Sequence, residues 1–198
     1  MTMKTNDQKI MVLLLKDFRI HTATSLSREL SLSRQGTWKI LKELEKDKLI
    51  ILESIGNGKT STKRVKLNWH NDLIEKILAL ALAQEAEKQK RWKFNFADLE
   101  KKVDFLILFG SILHSPKEAN DIDIMGVVSR ERKLIPLDDI ILKIQLTQIK
   151  KIHSINLTQK EFIRELKMSN KAYLEALKKG VILFGWESFI KLIKGLQT

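Results

Sequence analysis

The chain has 198 residues, of which 43% are hydrophobic and none is cysteine, and its formal net charge is +12. This composition supports a buried core in one large domain or two small ones, and it excludes disulfides and thiolate metal sites. The most apolar segment, residues 73–83, is interrupted by charges and is too short to cross a bilayer, so we expect a cytoplasmic protein without a membrane partner.

The positive charge favours a polyanionic partner. It is densest in residues 1–70, which hold 14 basic against 7 acidic side chains. A general enrichment in lysine would give the same charge without such a partner.

The first 70 residues predict three helices followed by a β-hairpin. Apolar spacing predicts helices over residues 7–18, 24–30 and 34–46, each near an Asn, Asp, Ser or Thr that can cap it. Strands are predicted at 49–52 and 64–67, around a Gly56-Asn57-Gly58 turn. This is the order of elements in a winged helix-turn-helix domain.

The third of these helices resembles the recognition helix of the MarR-type regulators in the run Ser33 to Glu45 followed by Lys48-Leu49-Ile50, within a match of about residues 7–68. Arg and Gln side chains can read base edges of double-stranded DNA, and Lys side chains can neutralise phosphates. Gly36 inside the helix suggests close approach of a backbone or a groove. The candidate DNA-binding residues, on the outer face of this helix and in the wing, are Arg34, Gln35, Trp38, Lys39, Lys42, Lys59, Lys63 and Arg64. The alternative is a winged helix used for protein contact or dimerisation, with solvated charges.

A linking helix is predicted over residues 71–93, between a DNA-binding domain at 1–70 and a second domain at 94–198. Residues 78–83 alternate Leu and Ala, which makes this helix apolar on more than one face. Such a helix must be covered, either by a homodimer interface or by docking of the two domains.

The second domain begins with an apolar strand, Phe105 to Phe109, that opens into Gly110-Ser111; a second apolar strand carries Asp121 and Asp123. Residues i and i+2 of a strand point to one face, so the two acids should project together. Converging carboxylates repel each other unless a cation lies between them, and hard oxygen ligands suit Mg²⁺. The Gly-Ser turn offers backbone N–H groups and a hydroxyl to a triphosphate.

These residues, from Phe109-Gly110-Ser111 to the acids at 121 and 123, resemble the signature of the polymerase-β-like nucleotidyltransferases, in particular the minimal nucleotidyltransferases of prokaryotes. The match is strong over residues 103–128. The resemblance implies transfer of a nucleoside monophosphate from a nucleoside triphosphate to a hydroxyl, with Gly110 and Ser111 binding phosphates and Asp121 and Asp123 holding Mg²⁺. Members of this family often act with a toxin partner, which the resemblance extends to this chain. The alternative is an ordinary β-hairpin with two solvent-facing Asp residues.

The remaining segments predict helices at 94–102, 138–150, 161–168, 171–179 and 187–196, and strands at 151–157 and 181–184. We therefore expect an α+β fold, with a winged helix-turn-helix domain followed by a nucleotidyltransferase-like domain whose small mixed sheet is flanked by helices.

One departure from the family pattern affects the expected chemistry. The family has a third carboxylate on the next central strand, and we expect Asn156 at that catalytic position, with His153 on the other face. An Asn can coordinate a metal but cannot accept a proton as a base. Two functions therefore remain open: a DNA-binding nucleotidyltransferase, or a regulator or antitoxin-like protein whose second domain binds nucleotide or a protein partner with little or no catalysis.

Overall fold

The protein, described by a computed structural model over residues 5–56 and 62–198, forms two compact units. The first comprises the described residues up to Ala81 together with Ile193–Thr198, and the second is Leu82–Leu192. The division falls inside the segment 71–93 that the sequence assigned to a linking helix. Among the described helices, none is long and apolar enough to cross a membrane.

The first unit has the predicted order of helices and hairpin. Its elements are α1 (Thr5–Lys16), β1 (His21–Thr22), α2 (Ala23–Glu29), α3 (Arg34–Lys46), β2 (Ile50–Ile55) and β3 (Thr62–Leu67). Within the described residues, the strands form an antiparallel sheet in the order β1-β3-β2. The two-residue strand β1 was not predicted, because it is too short to show alternation. The Asn57 and Gly58 of the predicted turn lie outside the described residues.

Local capping fixes where the helices of this unit begin. The Thr22 hydroxyl accepts the backbone N–H of Ser25, and the Ser25 hydroxyl accepts the N–H of Thr22, which forms a reciprocal capping box at α2. Ser33 caps α3 by accepting the N–H of Gly36 at 3.0 Å. The apolar faces of the three helices are buried with the inner face of β3, including Ile10, Leu14, Leu26, Leu41, Leu44, Val65 and Leu67.

The helices that follow are shorter than the sequence predicted. The predicted linking helix over residues 71–93 is divided into two helices, α4 (Ile74–Glu87) and α5 (Lys90–Asn95). The N–H groups of Lys88 and Gln89 donate to carbonyls three residues back rather than four, which tightens the chain and ends α4. The helix predicted at 94–102 is replaced by the end of α5 and a short 3₁₀ turn at Ala97–Leu99.

The second unit is built on a mixed sheet, as predicted. Its strands are β4 (Phe105–Phe109), β5 (Asp121–Val128), β6 (Lys151–Thr158) and β7 (Val181–Phe184), and over the described residues their order is β6-β5-β4-β7. The pair β5–β6 is parallel, whereas β4 is antiparallel to both β5 and β7. The remaining helices are α6 (Ile135–Gln145), α7 (Gln159–Lys167), α8 (Lys171–Lys179) and α9 (Trp186–Gln197), of which α6 begins and ends earlier than the predicted 138–150.

Both faces of this sheet are covered, so its central strands are buried on each side. One face packs against Trp92 and Phe96 of the α5 region and against the apolar face of α6. On the other face, Phe105 makes edge-on contacts with Phe162 of α7 and Phe189 of α9, at centroid distances of 5.5 and 5.4 Å. Because every residue of β4 before Phe109 is buried, the register of the sheet is strongly specified.

The turn into α9 requires a glycine. Gly185 has φ +77°, and a Cβ placed there would lie 1.9 Å from the carbonyl oxygen of Asp104. We therefore expect Gly185→Ala to lower the free energy of unfolding. Backbone strain alone should contribute about 1–3 kcal/mol, and the steric overlap adds to it.

The matched control is Gly195→Ala, also in α9, where a Cβ would meet nothing within 4 Å. This change should be neutral or stabilise the protein by up to about 1 kcal/mol. Urea unfolding followed by circular dichroism compares the two variants, and equal losses of stability would contradict the assigned geometry.

Candidate functional site

The two acids of the Asp-x-Asp motif lie together at the start of β5. They share one face of the strand, and Asp123 is paired across the sheet with Phe109, the last residue of β4. Their side chains are partly exposed, 31% for Asp121 and 25% for Asp123. The carboxylates are therefore open to a ligand while the rest of β5 is buried.

A histidine on the neighbouring strand joins the two acids. In the parallel pair β5–β6, His153 is the register partner of Asp123. Its Nδ1 lies 3.2 Å from Oδ2 of Asp121 and 3.6 Å from Oδ1 of Asp123. The three side chains each offer one ligand atom, and these atoms all lie within 4.8 Å of one another.

The expectation that Asn156 takes the third position beside the acids is not met. Asn156 is the register partner of Gly126 and lies on the opposite face of the sheet, where its Nδ2 donates to Oδ1 of Asp138 in α6 at 3.0 Å. His153 and Asn156 occupy different faces, as predicted. However, His153 and not Asn156 shares the face of the two acids. The residue of β6 that lies beside the two acids is therefore His153.

The Gly110-Ser111 turn lies directly against Asp123. Gly110 has φ +82°, and a Cβ placed there would lie 2.1 Å from Oδ2 of Asp123. Only glycine both adopts this backbone conformation and leaves room for the carboxylate. The turn and the acids thus form one continuous surface at the end of β4.

A pocket of about 350 Å³ opens beside this turn. Its polar lining includes Lys179 at the end of α8, which the sequence did not assign, and His114 just after the turn. Lys179 forms an ion pair with Glu175, one turn earlier on the same helix. No sequence signal marked Lys179, because α8 reaches the turn only through the tertiary fold. The lining residues are Phe109, Gly110, Ser111, His114, Ala172, Glu175, Ala176 and Lys179.

Partial burial and like charge both disfavour the ionised form of the Asp123 carboxyl. Burial, together with the charge of Asp121, raises the pKa of the Asp123 carboxyl, and His153 opposes this rise. The donor set departs from the all-oxygen site expected for Mg²⁺, because the third donor is an imidazole nitrogen. Two carboxylates and one imidazole suit divalent ions that accept both oxygen and nitrogen ligands.

The predicted outer face of α3 is exposed in the structure. This applies to all five residues assigned to it, Arg34, Gln35, Trp38, Lys39 and Lys42. The ammonium of Lys42 lies 5.2 Å from the centre of the Trp38 ring and also pairs with Glu45. Gly36 has a local explanation, since a Cβ there would lie 2.9 Å from the capping hydroxyl of Ser33. Within the chain, the close neighbour of Gly36 is thus the cap.

The predicted basic wing is divided between two faces of β3. Successive residues of a strand point to opposite sides, so Lys63 and Arg64 do not form one surface. Lys63 donates to the Ser54 hydroxyl at 2.7 Å, whereas Arg64 lines a cavity of about 200 Å³ together with Asp17, Arg19 and Lys66. Lys59, the remaining wing residue, lies outside the described residues.

Comparisons with known proteins assign the first unit. A family model described as winged helix-turn-helix DNA-binding matches residues 3–51. A search of curated proteins finds no match. The chain thus carries an N-terminal winged helix-turn-helix of the DNA-binding class.

Two solved structures are similar to part of the chain. One is the adhesin competence repressor AdcR from Streptococcus pyogenes, with 17% identity, a TM-score of 0.37, and coverage of 51% of this chain and 71% of that protein. The other is a mutant of ZitR from Lactococcus lactis in its apo form, with 18% identity and a TM-score of 0.34. The match covers 57% of this chain and 74% of that protein. The family model ends at residue 51, before the second unit begins. The nucleotidyltransferase resemblance of the second unit therefore remains an inference from its motif.

The close packing of Gly110 on Asp123 gives a direct test of the site. Gly110→Ala should displace the Asp123 carboxylate and weaken binding of a divalent ion, which isothermal titration calorimetry with Mn²⁺ measures. The control is Gly126→Ala on the same sheet, where a Cβ would meet the end of the Asn156 side chain at 2.8 Å on the opposite face. We expect this control to leave ion affinity unchanged, so equal effects of the two substitutions would contradict the site.

Proposed function

We propose that the chain is a DNA-binding regulator whose second unit binds a nucleoside triphosphate, and whose affinity for DNA responds to that ligand. The family match of residues 3–51 supports the DNA-binding part. The observation that carries the nucleotide part is the convergence of the Gly110-Ser111 turn, the two acids and a pocket with a lysine at one end of β4.

The pocket has the size and the donors that a phosphate chain needs. Its volume of about 350 Å³ lies within the roughly 300–1,000 Å³ of small-molecule sites. Lys179 supplies a mobile point charge, and the Ser111 hydroxyl and the His114 ring supply further donors. Because the neighbouring acids would repel phosphates, the nucleotide should bind together with a cation at the acid pair.

A sensing role is favoured over efficient transfer by the third position of the site. The family resemblance implies three carboxylates, whereas this chain has two carboxylates and His153. This change alters the charge and the donor type at the point where the resemblance places the attacking hydroxyl. A fold that binds nucleotide without rapid turnover is suited to regulation, because the ligand persists long enough to bias an equilibrium.

The proposal includes a homodimer on DNA. Helix-turn-helix proteins commonly bind two half-sites as a symmetric dimer. Leu73, immediately before α4, and Leu80, within that helix, are 56% and 58% exposed, which supports a further apolar contact there. Light scattering coupled to size-exclusion chromatography measures the mass directly.

We expect double-stranded DNA binding to weaken steeply with salt, since each phosphate contact releases about 0.9 counterion. Arg34→Ala should cost about 1–3 kcal/mol at a specific site and relax sequence preference, whereas Lys63→Ala should weaken all sequences alike and lower the salt slope by about 1. Fluorescence anisotropy at several salt concentrations measures both quantities.

The control for the DNA measurement is Lys101→Ala, an exposed lysine of the second unit that we do not assign to the interface. It should change neither affinity nor slope. Absence of binding to any duplex at low salt would instead leave the winged helix as a protein-contact module.

ATP should bind to the full chain and change its DNA affinity by about fivefold or more, the lower end of typical coupling between two sites. Lys179→Ala should weaken ATP binding by about tenfold, equivalent to about 1.4 kcal/mol. The adjacent Lys178→Ala removes the same charge outside the pocket lining and should leave ATP affinity near that of the wild type. ATP binding that is equally strong in all three proteins would refute the pocket assignment.

A second candidate function is nucleotidyl transfer, and one observation favours it. His153 lies beside the acids, and a neutral imidazole can accept the proton of an attacking hydroxyl, which Asn156 cannot do. Transfer of label from ATP carrying a labelled α-phosphate to a hydroxyl acceptor, abolished by Asp123→Asn, would decide for this candidate.

A further inference from the structure

The side chain of His153 is oriented so that it could share an ion with the two acids. Parallel pairing aligns His153 with Asp123, so the imidazole projects from the same face of the sheet as both carboxylates. Its Nδ1, rather than a carbon edge of the ring, is the atom turned toward the two acids. The imidazole is about half exposed, so an ion from solvent has access to the site.

The distances from the His153 nitrogen to the two carboxylates fit a single shared ion. Two atoms that each lie about 2.1 Å from a metal are about 3.0 Å apart at the octahedral angle and about 3.4 Å apart at the tetrahedral angle. The observed distances from Nδ1 to the nearest oxygens of Asp121 and Asp123 are 3.2 and 3.6 Å. The imidazole nitrogen is therefore close to the distance from each carboxylate that a shared ion requires, and all three ligand atoms lie within 4.8 Å of one another.

We propose that Asp121, Asp123 and His153 form a mixed oxygen–nitrogen site that binds a divalent transition-metal ion, such as Mn²⁺, in preference to Mg²⁺. The inference shares its two acids with the proposed nucleotide site and in this sense rests on the proposed function. It differs in requiring no nucleotide, because the three side chains bind the ion by themselves.

The preference follows from the third donor. Mg²⁺ demands oxygen ligands and near-ideal octahedral geometry, and it gives up bound water reluctantly. Imidazole nitrogen is a good ligand for first-row transition metals, whose affinities rise from Mn²⁺ toward Cu²⁺. Replacing a third carboxylate by an imidazole also removes one negative charge, which weakens the purely electrostatic attraction on which Mg²⁺ depends most.

The test measures ion preference in the full chain, stripped of metal with a chelator and kept free of nucleotide. Mn²⁺ binding is followed by loss of the free-ion signal in electron paramagnetic resonance, and Mg²⁺ is added as the competitor. The wild type should bind Mn²⁺ at least about tenfold more tightly than Mg²⁺, and pulsed measurements should detect a coupled imidazole nitrogen.

Two variants separate the role of the imidazole from that of the acids. His153→Asp creates an all-oxygen set, so the ratio of Mn²⁺ to Mg²⁺ affinity should fall from the wild-type value toward parity, and the nitrogen coupling should disappear. Asp121→Asn combined with Asp123→Asn should abolish binding of both ions. His70→Asp, at an exposed histidine of the first unit, controls for the added charge and should behave as wild type.

An unchanged ratio in His153→Asp would overturn the inference, as would Mn²⁺ binding without nitrogen coupling. If ATP still binds in the pocket in that case, the proposed nucleotide site survives and only the assignment of His153 fails. If the ion binds as expected but ATP does not, the metal site stands and the nucleotide proposal fails.

Discussion

The register of β5 between its two neighbours is the constraint on which the candidate site depends. β5 is antiparallel to β4 and parallel to β6, and it is buried on both faces beyond its first residues. A slip of one residue would exchange the faces, moving Asp121 and Asp123 into the apolar layer beneath α6. The free energy of burying Ile122, Ile124 and their neighbours therefore fixes the position of the acids, although the acids themselves contribute little to stability.

The same constraint explains how far the sequence could be interpreted. Alternation within one strand needs no tertiary information, so Asp121 and Asp123 could be placed on a common face from their spacing. The third position could not be placed in this way, because it depends on which residue of β6 aligns with Asp123 across a parallel pair. Residues 129–150, which include a whole helix, separate the two strands, and no local pattern encodes their register. Lys179 was missed for a related reason, since only the packing of α8 brings it to the turn.

In the first unit, local sequence patterns alone predicted the candidate binding face. The exposed face of α3 follows from helical spacing, and all five predicted residues lie on it. At the start of the second unit, the ends of α4 and α5 were less predictable, because no Gly or Pro marks the change to three-residue hydrogen bonds at Lys88 and Gln89. The division of Lys63 and Arg64 between two faces was available from strand alternation, and treating the wing as a single basic patch overlooked it.

In the proposed site, the net charge of the two acids and their ion determines how a nucleotide would be attracted. With three carboxylates, one divalent ion leaves a net negative site. With Asp121, Asp123 and a neutral His153, one divalent ion brings the site to about zero. A triphosphate approaching such a site meets no net repulsion but also no surplus of positive charge, so its affinity must come from outside the metal ligands. In the proposed site the side chains positioned to supply it are His114 and Lys179, which line the adjoining pocket, and Lys179 would have to exchange its ion pair with Glu175 for the phosphate. In the proposed site, an imidazole in place of a third carboxylate would thus make phosphate recognition depend more on α8, and Lys179 would matter more than beside a site that holds two divalent ions.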